Sequence, residues 1–270
     1  MKERFTMLSL SEKKLFLLDM DGTIYLEDTL FDGTLDFLAE IKRKGGRYLF
    51  VTNNSSKGVE SYVEKLARLG IKASKDDFLT STDATILYLN NNYPGEKFYV
   101  MGTKSFINQL KAAGISVATD VEAGIFGVVI SNDTELTFKK LDDISKLLKN
   151  DIKYIATNPD WVCPTAYGSV PDCGSFAEML SHSTGKMPYF IGKPRPDMLF
   201  IAMEKYGYTK DESVMIGDRV YTDIASGYNA GIDTVLVLSG EGTREDAENS
   251  ATKPTYIIEN IKEVYNRIKK

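Results

Sequence analysis

Two acidic residues separated by one position, Asp19 and Asp21, directly follow the apolar run LFLL at 15–18. A strand that ends in this way brings both carboxylates to one place, where one can attack phosphorus while the other handles a proton. Gly22 allows a sharp turn, so that Asp21 can return towards the group that Asp19 faces. An isolated Asp after a strand is more often a cap or a turn residue, so the case for chemistry depends on the residues that join this pair.

Three further charged residues follow other apolar runs. Asp218 comes after VMIG, Asp223 five residues later, and Lys193 lies in the loop after PYFIG. Two carboxylates about 4 Å apart repel by about 4 kcal/mol at an effective dielectric constant of about 20, so a group of acids needs a cation. Oxygen ligands of this kind suit Mg²⁺, which binds through carboxylates and substrate phosphate. Lys193 supplies a second positive centre, and the predicted metal ligands are Asp19, Asp21, Asp218 and Asp223.

The segment TNNSS at 52–56 has the composition of an anion site. It follows the apolar run RYLFVT and precedes a helix that is predicted to begin near Lys57. Unpaired N–H groups and the helix dipole favour an anion at such a point. Thr52, Asn53 and Asn54 are therefore candidates for holding phosphate oxygens, together with Lys193. Simple capping of the next helix is the alternative for these three residues.

Composition and hydropathy argue against nucleic-acid binding, a membrane span and secretion. The chain has 270 residues and a net charge of −5, which does not favour a broad interface with nucleic acid. A local cation can still adapt one site to a small anion. No apolar run approaches the length of about 20 residues that a membrane span needs, and the amino terminus lacks the apolar core of a secretory signal. The expected partner is a small molecule and the expected location is the cytoplasm.

The Cys and His content narrows the chemistry further. Cys163 and Cys173 are the two cysteines, and reduced thiols are expected rather than a disulfide framework. The single histidine, His182, lies in a segment that reads as the end of an amphipathic helix before Gly185. One imidazole cannot build a His-rich metal site. Chemistry in this chain is therefore expected from carboxylates, lysine, hydroxyls and a metal.

Apolar runs alternate with helical patterns along the chain. The runs are almost continuously apolar, which is typical of parallel strands covered on both faces. This alternation predicts an α/β fold with an open parallel sheet and ligands at the carboxyl ends of its strands. The predicted strands are 15–18, 47–52, 97–101, 125–130, 152–157, 188–192, 213–217 and 234–238.

The middle of the chain lacks the acids that end the outer strands. Residues 82–185 contain their own strands and helices and end near a Ser-Thr-Gly break. We therefore predict a core domain in two parts, 1–81 and 186–270, with 82–185 as an inserted domain.

Four motifs in order give a resemblance to a known family. They are DMDGT at 19–23, TNNSS at 52–56, GKPRPDM at 192–198 and GDRVYTDI at 217–224. With them the chain resembles the haloacid dehalogenase (HAD) superfamily, and closely its NagD-like or p-nitrophenyl-phosphatase-like branch. The resemblance spans essentially the whole chain. It implies a Rossmann-like parallel-sheet core with an inserted α/β cap domain.

The resemblance also implies roles for the motif residues. Asp19 would be the nucleophile that forms an aspartyl-phosphate, and Asp21 would be the acid and base, its main-chain carbonyl also binding Mg²⁺. Thr52 and Lys193 would hold the phosphoryl group, with help from the Asn53 region. Asp218 would bind the metal directly, and Asp223 would bind metal waters or orient Lys193.

The cap is where substrate selectivity is expected. The segment 157–175 is the candidate substrate loop because it is rich in Pro, Gly and aromatic residues. A connecting loop within the cap fits almost as well. Trp161 and Tyr167 could stack on a flat leaving group or pack against the cap. Caps of this branch often provide dimer contacts, so a homodimer is a further expectation. The candidate substrate contacts in this segment are Asn158, Asp160, Gly174 and Ser175.

The expected activity is Mg²⁺-dependent hydrolysis of a small phosphate monoester, such as a nucleotide, a sugar phosphate, pyridoxal phosphate or p-nitrophenyl phosphate. Phosphoryl transfer, as in a mutase, is an alternative, but mutase-type relatives usually carry the cap between the first two motifs. Dehalogenation is disfavoured because those relatives lack the second acid. A non-enzymatic alternative is a receiver-like switch that is phosphorylated on Asp. Asp21 argues against this switch, because receivers do not place an acid/base there.

Overall fold

The computed structural model describes residues 9–165 and 167–270. The first eight residues, where the predicted core domain begins, and Ala166 of the predicted substrate loop lie outside this description. The strands, in chain order, are β1 (Leu15–Leu18), β2 (Tyr25–Leu26), β3 (Thr29–Leu30), β4 (Arg47–Thr52), β5 (Phe78–Thr80), β6 (Lys97–Met101), β7 (Ser116–Ala118), β8 (Ile125–Ile130), β9 (Lys153–Ala156), β10 (Val162–Thr165), β11 (Gly168–Pro171), β12 (Tyr189–Phe190), β13 (Ser213–Gly217), β14 (Asp233–Val237) and β15 (Tyr256–Ile258).

The helices alternate with these strands. They are α1 (Thr34–Arg43), α2 (Val59–Arg68), α3 (Ser81–Asn92), α4 (Lys104–Ala112), α5 (Phe138–Leu147), α6 (Cys173–Thr184), α7 (Asp197–Tyr206), α8 (Ala225–Ala230), α9 (Arg244–Asn249) and α10 (Ile261–Ile268). A π-helical turn, Val220–Ile224, precedes α8. Within the described ranges, no helix has the length and apolar character that crossing a membrane requires.

The chain divides into two compact units. The first unit comprises Met1–Thr52, Val63–Leu79 and Pro194–Lys270. The second unit comprises Asn53–Tyr62 and Thr80–Lys193.

A six-stranded sheet forms the centre of the first unit, in the order β15-β14-β13-β1-β4-β5. Strand β1 lies between β13 and β4 and is parallel to both, with Leu18 paired to Ile216 on one side and Phe50 on the other. All residues of β1, β13 and β14 are buried, which explains why their sequences are apolar apart from Ser213, Asp233 and Thr234 at the starts of β13 and β14. Because parallel strands end at one edge, the residues that follow β1 and β13 meet there.

The second unit contains a five-stranded parallel sheet in the order β12-β9-β8-β6-β7. Helices α5 and α6 pack on it around buried residues such as Ile130, Ile144 and Leu180. Strands β10 and β11 form an antiparallel hairpin inside the predicted substrate loop. His182 is exposed near the end of α6, which Gly185 terminates with a positive φ of 69°.

Parallel sheets with alternating helices confirm the predicted α/β class. The boundaries of the second unit differ from the predicted 82–185. Residues 186–193 belong to the second unit because β12 pairs with β9 of its sheet. Residues 53–62 also belong to it, and Ser55 and Ser56 hydrogen-bond to Thr157 and Thr103 there.

Candidate active site

Three carboxylates converge at the carboxyl edge of the first unit's sheet. One oxygen from each of Asp19, Asp218 and Asp223 lies within 4.8 Å of the other two. Asp19 directly follows β1, and its amide donates to the Ile216 carbonyl at 2.9 Å. Asp218 directly follows β13, and the π-helical turn carries Asp223. The structure therefore brings together three of the four predicted metal-binding residues.

Burial makes this cluster electrostatically costly without a cation. Asp218 and Asp223 are only 2% and 1% exposed. Burial, with a further contribution from the charge of Asp223, raises the pKa of Asp218 to about 6. A cation held by these carboxylates would offset the repulsion between them and favour the ionised form of Asp218.

The donor set and the surrounding backbone fit Mg²⁺. All three side chains offer carboxylate oxygens, the hard ligands that Mg²⁺ prefers. Glycines allow the backbone to approach the cluster: a Cβ on Gly22, which has a φ of +83°, would lie 2.4 Å from Asp218 Oδ2, and one on Gly240 would lie 2.0 Å from the same atom. A Cβ on Gly217 would lie 2.3 Å from the Cβ of Asp223.

A loop that the sequence did not single out holds Asp218 in place. After β14, the amide of Glu241 donates to Asp218 Oδ2 at 2.8 Å, and the amide of Gly242 donates to the Asp218 carbonyl at 2.9 Å. Arg219 Nε in turn donates to Glu241 Oε2 at 2.8 Å. The only signal in the sequence was the Gly-rich SGEG that follows an apolar run.

Asp21 lies outside the carboxylate cluster but has two defined partners. Tyr25 Oη donates to one carboxylate oxygen at 3.2 Å, and Lys65 Nζ, on α2, lies 3.5 Å from the other. The same Nζ lies 3.9 Å from the centroid of the Tyr25 ring. The Asp21 side chain is 47% exposed, so it is oriented and still open to solvent. Metal binding by its main-chain carbonyl stays a prediction.

The residues of the second and third motifs fall in both units. Thr52, in the first unit, is the last residue of β4 and is 8% exposed. Asn53 and Lys193, in the second unit, are bound to each other: the Lys193 amide donates to Asn53 Oδ1 at 2.8 Å. Asn54 Oδ1 accepts from the amide and hydroxyl of Ser56 at 2.9 and 2.7 Å. The Asn54 side chain therefore closes a local turn with the residue two positions later.

The predicted substrate contacts of the second unit are largely internal. Asn158 and Asp160 are 0% and 3% exposed, and Asn158 Nδ2 donates to Asp160 Oδ2 at 2.9 Å. Gly174 is buried, and a Cβ there would lie 2.1 Å from the Pro159 carbonyl oxygen. Ser175 Oγ donates to the Trp161 carbonyl at 2.5 Å. These four residues brace the loop, and their contact with a substrate stays a prediction.

Exposed aromatic side chains flank this braced region. Trp161 is 66% exposed and Tyr167 is 82% exposed. These two side chains, unlike the buried Asn158, Asp160 and Gly174, are exposed to solvent.

The sequence of this chain is similar to those of known hydrolases. The haloacid dehalogenase-like hydrolase family pattern matches residues 16–116, and a HAD-hydrolase-like pattern matches residues 190–264. An acid sugar phosphatase from Staphylococcus aureus is 36% identical over 97% of this chain and 100% of its own length.

Two solved structures that resemble this chain are also those of phosphatases. The crystal structure of a 4-nitrophenylphosphatase from Thermotoga maritima is 39% identical, covers 96% of this chain and 98% of its own, and superposes with a TM-score of 0.90. A glycerol phosphate phosphatase from Mycobacterium tuberculosis in complex with magnesium is 27% identical, covers 97% of this chain and 80% of its own, and also has a TM-score of 0.90.

The chain belongs to the haloacid dehalogenase-like hydrolase family. This relationship confirms the predicted family and the predicted enzyme class, because the relatives named above are phosphatases.

Proposed function

We propose that this protein is a Mg²⁺-dependent phosphatase that hydrolyses small phosphate monoesters through an aspartyl-phosphate on Asp19. The observation that carries this proposal is the grouping of Asp19 with the buried Asp218 and Asp223 at one sheet edge. Mg²⁺ held by these carboxylates would offset the negative charge of the phosphoryl group and of the acids around it. An ionised Asp19 can then approach an anionic ester.

Two residues carry the bond changes. In the first half-reaction, an oxygen of Asp19 bonds to phosphorus as the bond to the alcohol oxygen breaks, and a protonated Asp21 gives its proton to that oxygen. In the second, Asp21 takes a proton from water as the water oxygen bonds to phosphorus. The bond to Asp19 then breaks and phosphate leaves. The contacts of Asp21 with Tyr25 and Lys65 support this role because they orient the carboxylate.

Thr52 and Lys193 are assigned to the phosphoryl oxygens. The Thr52 hydroxyl offers a hydrogen bond and the Lys193 ammonium offers a full positive charge, the two kinds of group that stabilise a transferring phosphoryl group. The amides around Asn53 and Asn54 are assigned to the same group. This assignment rests on the family motifs that these residues match.

The relatives suggest the class of substrate. Their names record activity on sugar phosphates, 4-nitrophenyl phosphate and glycerol phosphate. We assign this protein a small phosphorylated metabolite, with the loop 157–175 contacting the leaving group. A cytoplasmic location and a homodimer formed through the inserted domain complete the proposal. Size-exclusion chromatography with light scattering tests the dimer.

Phosphate release tests the activity. The panel comprises glycerol phosphate, hexose phosphates, nucleotides, pyridoxal phosphate and p-nitrophenyl phosphate, each with Mg²⁺ and with EDTA. We expect Mg²⁺-dependent release that Asp19→Asn abolishes. In Asp21→Asn, acid quenching should trap a phosphoryl group on the peptide that contains Asp19. Release by Asp19→Asn at the wild-type rate would overturn the proposal.

A further inference from the structure

The side chain of Asn53 binds both main-chain groups of Lys193. The Lys193 amide donates to Asn53 Oδ1 at 2.8 Å, and Asn53 Nδ2 donates to the Lys193 carbonyl at 2.9 Å. The two residues are 140 positions apart and are only 7% and 2% exposed. A paired contact of this kind fixes the peptide of Lys193 in position and in direction.

A buried carboxylate determines which way the Asn53 amide points. Asn53 Nδ2 also donates to Asp160 Oδ2 at 2.6 Å. If the amide were flipped, its NH₂ group would face the Lys193 N–H and its oxygen would face the Asp160 carboxylate. Both contacts would then be repulsive. One orientation of Asn53 is therefore strongly preferred, and it is the orientation that matches Lys193.

Asp160 is itself fixed by its surroundings. Asn158 Nδ2 donates to Asp160 Oδ2 at 2.9 Å and to Asp172 Oδ1 at 3.2 Å. The Asp160 carbonyl accepts from the amide of Gly174 at 2.8 Å. The carboxylate is therefore part of a rigid polar network at the base of the β10–β11 hairpin, and it lies 3% exposed.

The backbone next to Lys193 is shaped for this contact. A Cβ on Gly192 would lie 2.5 Å from Asn53 Oδ1 and 2.8 Å from the Thr157 carbonyl oxygen. Only glycine allows the chain to approach the amide so closely. Both atoms accept hydrogen bonds from this segment, Asn53 Oδ1 from the Lys193 amide and the Thr157 carbonyl from the Gly192 amide, so a side chain at position 192 would disturb the contact that places Lys193.

We propose that the side chains of Asn53 and Asp160 are positioning groups for Lys193 and do not contact the substrate. Asn53 places the Lys193 peptide, and Asp160 sets the orientation of Asn53. The inference rests on the proposed role of Lys193 in holding the phosphoryl group. It replaces the substrate contacts that the sequence suggested for Asn53 and Asp160 with an indirect role.

A double-mutant cycle tests the inference. Lys193→Ala should lower kcat/KM for p-nitrophenyl phosphate at least 100-fold, because a positive group is lost from the phosphoryl site. Asn53→Ala should lower it about 100-fold through misplacement of Lys193 by about 1 Å. In the Lys193→Ala background, Asn53→Ala should have no further effect on kcat/KM, because the contact with the main chain of residue 193 no longer positions an ammonium group.

Each outcome separates the inference from the proposed function. If Asn53→Ala multiplies the loss in the Lys193→Ala background, Asn53 acts on the substrate and the inference is wrong, although the proposed function stands. If Lys193→Ala is fully active, the assigned role of Lys193 is wrong, and the positioning inference falls with it. Asp160→Ala should lower kcat/KM about tenfold, and Asp160→Asn, which keeps an acceptor, should restore most of it.

Hydrogen exchange gives a readout besides activity. Pro194 has no N–H, so two overlapping peptides that end at Gly192 and at Pro194 differ in exchange only by the Lys193 amide. We expect this amide to exchange at least tenfold faster in Asn53→Ala and in Asp160→Ala than in the wild type. Asn260→Ala, which removes the cap of α10, controls for general destabilisation and should leave that amide unchanged. Unchanged exchange in both test variants would overturn the inference even if activity fell.

Discussion

The main-chain amide of Glu241 donates a 2.8 Å hydrogen bond to Asp218 Oδ2. It connects the loop after β14 to a carboxylate of the proposed metal site. The side chain of Glu241 points elsewhere and accepts from Arg219 and Tyr221 at 2.8 and 3.2 Å. The position of Asp218 therefore depends on the backbone of a loop whose side chains take no part in the proposed chemistry.

Gly240→Ala should weaken Mg²⁺ binding. A Cβ there would lie 2.0 Å from Asp218 Oδ2, so either the loop or the carboxylate must move. We expect the Mg²⁺ concentration for half-maximal activity to rise at least tenfold, with most of the maximal rate restored at saturating Mg²⁺. The measurement is a Mg²⁺ titration of phosphate release.

Gly58→Ala is the matched control for Gly240→Ala. The nearest atom to its Cβ would be the end of the Glu60 side chain, at 2.9 Å, which can move away. Its Mg²⁺ titration should match that of the wild type. An unchanged titration for Gly240→Ala would contradict the idea that the loop backbone sets the metal site.

Asp218→Asn should stabilise the metal-free protein while abolishing its response to Mg²⁺. The substitution removes one of three crowded charges and keeps an acceptor for the Glu241 amide. We expect the free energy of unfolding in EDTA to rise by about 1–2 kcal/mol, because close carboxylates repel. Activity should fall at least 100-fold. Urea unfolding in EDTA and in Mg²⁺ measures the stability and its response to Mg²⁺, and phosphate release measures the activity. Lower stability of the variant in EDTA would count against a repulsive cluster.

Glu212→Gln should reduce stability in a pH-dependent way. Donation by Lys14 Nζ and by the Thr209 amide lowers the pKa of Glu212 to about 2. A lowered pKa stabilises the fold above the ordinary value of 4.5, and this contribution is lost as the pH falls from 4.5 towards 2. The partner Lys14 is 57% exposed, so we expect only about 0.5 kcal/mol at pH 7.

Urea unfolding of Glu212→Gln and wild type at neutral pH and at about pH 3 tests this contribution. The difference between the two proteins should shrink at the lower pH. A difference that grows on acidification would have the wrong sign for a lowered pKa.

The two cysteines should differ sharply in reactivity. Both are free thiols, and Cys173 is fully buried at the start of α6. Burial, and to a smaller extent the charge of Asp172, raises the pKa of Cys173 to about 12. We expect iodoacetamide at pH 8 to modify Cys163 in the native protein and Cys173 only after unfolding. Mass spectrometry of Cys163→Ser, which should stay unmodified until urea is added, checks the assignment.

The carboxylate cluster was predictable from the sequence because each strand end can be recognised from neighbouring residues alone. Asp19 and Asp218 directly follow apolar runs, and parallel strands must end at one edge. The sheet to which β12 belongs was not predictable in this way, because two strand residues carry no signal for their partner. Glu241 was missed because it acts through its amide, which any residue possesses. For Asn158 and Asp160, polarity was visible in the sequence but the direction of the side chains was not.

Because β12 belongs to the sheet of the second unit, Lys193 follows closely after a strand of that unit, and Asn53 is the first residue of the same unit. A chimera that grafts the cap of a relative at 82–185 would retain the recipient's Asn53 and Lys193 but replace Asp160 with a foreign residue. A graft of 53–62 together with 80–193 would transfer all three from one parent. A chimera made to alter selectivity should therefore exchange residues 53–62 together with 80–193 rather than 82–185 alone.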